Sequence, residues 1–148
     1  MRTTSRTPKL RRIDYGASLR LLSRSAPYNP TDLSDKKAPI RTSFEAIKNG
    51  TGTEVDFENL DIAFATTLVR SRSIDELCVI TATVARDAIE RTWARYQRTG
   101  RFGFDGPALA AVQDGIDLHE ELLDNSTPQQ MMAAARCACR VGSAAPSA

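Results

Sequence analysis

Residues 73–100 read SIDELCVITATVARDAIERTWARYQRTG. Along this stretch Cys78, Ala82, Ala85, Ile89, Trp93 and Tyr96 recur at steps of four, three, four, four and three, the spacing that stacks side chains on one face of an α-helix. Leu77, Ile80 and Val84 widen that apolar stripe, so the spacing predicts a long helix at the centre of a helical core. Ser73 and Glu76 have the Ser-x-x-Glu spacing of a capping box, in which each side chain satisfies the other residue's backbone N–H. Thr99 and Gly100 close the helix.

Downstream, Arg101 to Gly106 makes a tight connection, and Pro107 falls in the first turn of the next helix, where a missing N–H costs nothing. Asp105 or Gly106 is its expected cap. Leu109, Val112, Ile116, His119 and Leu123 form the inward face of this helix, which is expected to end near Asp124. Thr127, Pro128 and Gln130 repeat the start signal and predict a last helix over 128–140.

Upstream, Thr53 precedes the acid-rich turn Glu54, Val55, Asp56, and the apolar face Val55, Phe57, Leu60, Phe64, Leu68 predicts a helix over 54–70. Phe44 and Ile47, followed by Asn49 and a left-handed stop at Gly50, predict a first helix over 40–49. No run alternates with the period of two that a strand requires. The fold class expected is all-α: a compact bundle of about five helices over 43–140.

The two ends read differently. Residues 1–42 carry Pro8, Pro27, Pro30 and Pro39, which interrupt any long helix or strand, so this part is expected to be a flexible arm. It is also basic: Arg2, Arg6, Lys9, Arg11, Arg12, Arg20 and Arg24 face Asp14 alone within residues 1–24, a net charge of +6 that leaves −4 for the rest of a +2 chain. Such an arm suits a phosphate backbone, a second protein surface, or the acidic face of its own body. Residues 141–148 are small and include Pro146, and are expected to be a disordered tail.

Composition narrows the function classes. A hydrophobic fraction of 41% and a charged fraction of 26% are those of a globular chain of one domain. No run approaches the roughly 18 apolar residues of a membrane span, and no secretory leader is recognisable, so a cytoplasmic protein is expected. Cys78, Cys137 and Cys139 are too few and oddly numbered for a disulfide framework. Cys137 and Cys139, two apart on a helix, point about 200° from each other and do not share a metal ion, so neither metal nor cofactor is expected.

Three features invite chemistry. His119, the only histidine, lies on an inward helix face with no nucleophile of suggestive context, and is read first as a half-buried side chain and only second as the base of a small enzyme. Gly100, Gly103 and Gly106 resemble a phosphate loop, but no strand precedes them, and Phe102 and Phe104 suit a hydrophobic plug better. Arg91, Arg95 and Arg98 form a basic stripe, extended by Arg101, that is placed either to bind phosphates or to pair with Asp114, Asp117 and Glu121 across a helical hairpin.

The run RTGRFGFDGP at 98–107, the run IDLHE at 116–120 and the upstream run FEAIKNG at 44–50 together resemble a group of small helical proteins of proteobacterial phages, prophages and plasmids. The resemblance covers roughly residues 44–124 and implies a setting rather than an activity. It implies a non-catalytic accessory protein that binds a host or element-encoded protein complex, for example as an inhibitor of a defence system. The candidate contact residues are Arg2, Arg6, Lys9, Arg11, Arg12, Arg91, Arg95, Arg98 and Arg101, with a nucleic-acid-binding regulator as the alternative and a homodimer compatible with either.

Overall fold

The computed structural model describes residues 28–144, and their side chains as far as Arg140. Five helices follow one another: α1 Pro30–Lys48, α2 Glu54–Ser71, α3 Glu76–Thr99, α4 Gly106–Asn125 and α5 Pro128–Ala144. There is no strand among the described residues, and no helix there is long and apolar enough to cross a membrane. The fold is the all-α bundle that the periodicity predicts.

Most helix starts follow their local chemistry. Thr53 and Asp56 cap α2 reciprocally, Asp105 accepts from the Ala108 N–H at 2.7 Å, and Thr127 and Gln130 satisfy each other's backbone N–H groups. At α3 the cap is Asp75, which accepts from the Cys78 N–H at 3.0 Å. Ser73 does not form the expected box; its hydroxyl turns back to the Arg70 carbonyl. Gly50 and Gly100 hold the left-handed backbone, at φ +84° and +77°, that ends α1 and α3.

Two boundaries differ from the sequence reading. The segment 30–42, assigned to the arm, is helical, because Asn29 caps α1 by accepting from the Asp32 N–H and Pro30 occupies the first turn. Pro39 stands inside the helix and removes its bond to the Asp35 carbonyl, yet both residues face solvent, where water satisfies that oxygen. Packing of Ile40, Phe44 and Ile47 holds the helix to the body despite the loss. At the other end α5 continues to Ala144, so 141–144 belong to a helix rather than to a tail. The remaining residues of both expected segments, 1–27 and 145–148, lie outside the described part.

α3 and α4 form the most extensive helix pair, as a hairpin, but α2 is the element that touches all four others. Phe44, Ile47, Leu60, Phe64, Ile89, Val112 and Ile116 make the main core. A second cluster gathers Tyr28, Cys78, Leu118, Leu122 and Met131. Trp93 is half-buried rather than central, packed against Phe57 and Tyr96 with ring centroids 4.9 and 5.5 Å away.

Gly115 sets how closely α3, α2 and α4 approach. A Cβ there would lie 2.5 Å from the Ala85 Cβ and 3.1 Å from the Phe64 ring. Alanine has the higher helix propensity by about 1 kcal/mol, but both obstacles are short or rigid groups in a filled core. Gly115→Ala should therefore destabilise by about 1–3 kcal/mol, measured as a lower urea midpoint. A midpoint that rises instead would show that the hairpin has room to relax.

Candidate functional site

The outward face of α3 is built by the same periodicity that buries its inner face. Ile80, Val84, Asp87, Arg91, Arg95 and Arg98 recur at steps of four, three, four, four and three, and all are exposed. Ile80 is 51% exposed and Val84 49%, so these two do not widen the core stripe as the sequence suggested. Among the described residues no neighbouring helix covers them. The face is apolar towards its N-terminal end and basic towards its C-terminal end, where Arg101 adds a further exposed cation.

Arg91, Arg95, Arg98 and Arg101 form no ion pair among the described residues. The expected pairing across the α3–α4 hairpin therefore does not hold for them. Asp117 and Glu120 of α4 turn to α1 instead, where Arg41 reaches Glu120 at 2.8 and 3.0 Å and Asp117 at 3.2 Å. Hydrogen bonding to Glu120 raises the Arg41 pKa above its ordinary value, against the opposing effect of burial. Lys37 pairs with Asp124 one turn further along. The arm residues Arg2, Arg6, Lys9, Arg11 and Arg12 lie outside the described residues.

His119 is buried, 7% exposed, on the inward face of α4. Its Nδ1 lies 3.0 Å from Thr67 Oγ1. Burial pushes its pKa down to about 4; Lys37 adds to that shift and Glu120 opposes it. The ring is therefore neutral near pH 7. Thr67, the hydroxyl beside it, is fully buried, so a substrate has no path to that oxygen.

The glycine-rich turn between α3 and α4 is a plug. Phe102 stacks on Tyr96 with ring centroids 3.8 Å apart, and Phe104 stacks on Phe44 at 5.6 Å. Cys78 is buried in the second core cluster, Cys137 is half-buried and Cys139 exposed. No group of three metal-ligating side chains occurs among the described residues.

One buried charge carried no signal in the sequence. Arg70, 7% exposed at the end of α2, donates to Ser126 Oγ at 3.1 Å and to Ser73 Oγ at 3.2 Å, tying α2 to the α4–α5 corner. Burial lowers its pKa. An arginine reads from sequence as a surface residue, and only the packing of three helices around it reveals the role.

Comparison with known protein families, curated proteins and solved structures finds no significant match.

Proposed function

We propose that the protein is a non-catalytic interaction module that binds a protein partner through the outer face of α3, as a small accessory protein of a phage or mobile element. The observation that carries this is the composite character of that face: exposed Ile80 and Val84 are followed, past Asp87, by the row Arg91, Arg95, Arg98, Arg101, which has no ion pair of its own among the described residues. An apolar patch rimmed by unneutralised charge fits a protein surface offering apolar side chains beside carboxylates. The resemblance of the 98–107 and 116–120 runs to phage and plasmid proteins supports the setting, and inhibition of a host defence complex is the form of binding it suggests. The basic residues of the arm would add electrostatic reach in the cytoplasm.

A nucleic-acid-binding regulator is the second reading, favoured by the spacing of the arginines alone. Against it stand the net charge of −4 on residues 28–148 and the apolar start of the face, neither of which suits a phosphate backbone. The readings separate in one experiment. Tagged wild-type protein, Ile80→Asp and Arg95→Glu are used to purify complexes from host cells with and without nuclease. A complex that resists nuclease and is lost with either substitution is the expected result. Recovery that depends on nucleic acid, with submicromolar, salt-steep DNA binding lost in Arg95→Glu but kept in Ile80→Asp, would make the regulator the correct reading.

A further inference from the structure

On the side of the bundle away from α3, residues of α1, α2, α4 and α5 line an open cleft of about 270 Å³. Its walls are apolar and include Ile40, Ile62, Leu123, Met131 and Met132. Ile62 and Met132 are 56% and 54% exposed, unusual for large apolar side chains. Two unbranched methionines in one wall give it a shape that can adjust to an occupant.

Polar side chains also line the cleft: Tyr28, Lys36, Asn59, Thr66 and His119. Thr66 and His119 both line it, at 6% and 7% exposure. Neither Thr66 Oγ1 nor His119 Nε2 has a hydrogen-bond partner among the described residues, although neither atom is sealed from solvent. The histidine tautomer follows from its other nitrogen. Thr67 Oγ1 is fully buried and has no acceptor except His119 Nδ1, so its hydrogen goes there and Nε2 carries the ring's own hydrogen. A neutral imidazole thus has one N–H left for the cleft. Lys36, also in the lining and without an ion pair among the described residues, adds a positive charge at the solvent-exposed side.

We propose that the cleft binds a small amphipathic carboxylate, its tail against Ile62, Met131 and Met132 and its carboxylate received by His119 Nε2–H, Thr66 Oγ1 and Lys36. Concave, largely apolar sites with a few convergent polar groups are where helical bundles hold small ligands, typically in volumes of roughly 300–1,000 Å³, so this site takes a ligand at the small end. Lys36 and His119 Nε2–H donate only, and the Tyr28 and Thr66 hydroxyls can donate as well, while Asn59, whose amide already donates to Ser43, leaves its Oδ1 as an acceptor; donors therefore outnumber it and select an acceptor headgroup. No α3 residue lines the cleft, so this site and the proposed partner surface are independent.

The test is a titration of the full chain with octanoate, with octanol and octylamine as tail-matched controls, followed by the Met131 and Met132 methyl resonances. Octanoate should shift both saturably, octanol more weakly, and octylamine least. Lys36→Glu, at an exposed position that leaves folding intact, should weaken octanoate by about tenfold and leave octanol unchanged, since only a charged headgroup feels the cation. Thr66→Val, which keeps the side-chain volume, should weaken both octanoate and octanol, and its melting temperature shows that it folds. The proposal is overturned if the methyls do not move at millimolar octanoate. It is overturned equally if the three probes bind alike, or if the shifts follow protein concentration instead, which would give the cleft to a second copy of the chain.

Discussion

Phe64→Ala should destabilise the protein by about 3–5 kcal/mol, enough to leave much of a marginally stable domain unfolded near body temperature. Phe64 is fully buried in the main core, and its ring lies against Gly115 and the Ala85 contact. Glycine and alanine have no side chain that can swing in to refill the space, so most of the cavity persists and adds to the lost transfer energy. Val55→Ala is the internal comparison. Val55 belongs to the same helix and to the same face by sequence spacing, but it is 64% exposed, so its loss should change stability by no more than about 0.5 kcal/mol. Urea denaturation of both variants checks the pair; equal losses would mean that α2 is seated differently.

The second large effect is a dependence on pH. His119 has a folded-state pKa of about 4, below the ordinary 6.5, because its ring is buried. Between those two values the unfolded chain binds a proton that the folded one refuses. His119 therefore costs no stability above pH 6.5, and the loss grows as the pH drops towards 4, where it amounts to about 3 kcal/mol. His119→Leu removes the titrating group while keeping an apolar body of similar size. It should lower stability at pH 7, where Thr67 Oγ1 loses its partner, yet flatten the decline between pH 6.5 and 4. An unchanged slope in the variant would assign the acid sensitivity to carboxylates instead.

Helix number, the hairpin plug and most caps were legible in the sequence because they are decided within a few residues. Thr53, Asp105 and Thr127 each find their hydrogen bonds within a single turn, and Phe102 meets Tyr96 across the hairpin turn itself, although the partner of Phe104 is Phe44 of α1. Apart from the helix boundaries at 30–42, 73–76 and 141–144, the misreadings concern what lies across from a residue. Ile80 and Val84 have the right spacing for a wide buried stripe, but no spacing rule says whether a neighbour covers that width. The carboxylates of α4 were matched to the arginines of α3 because the two helices are adjacent in sequence, whereas Arg41 approaches from a helix much earlier in the chain. The proposed cleft was illegible for the same reason: Lys36, Thr66, His119 and Met132 come from four helices and converge only once these have packed.

Pro39 weakens α1 at one point, because the backbone bond that would bridge it to the Asp35 carbonyl does not exist. The turns after it are fastened by Ile40, Phe44 and Ile47 in the main core, while the turns before it are held by Leu33 and by the exposed pair of Lys37 with Asp124. Amide protons on the two sides of Pro39 should therefore exchange differently in a hydrogen-exchange experiment, those of the first turns faster through local fraying and those of the later turns together with the body. On that expectation a helix continuous in shape is uneven in cooperativity, its leading turns opening at lower cost than the turns held in the main core.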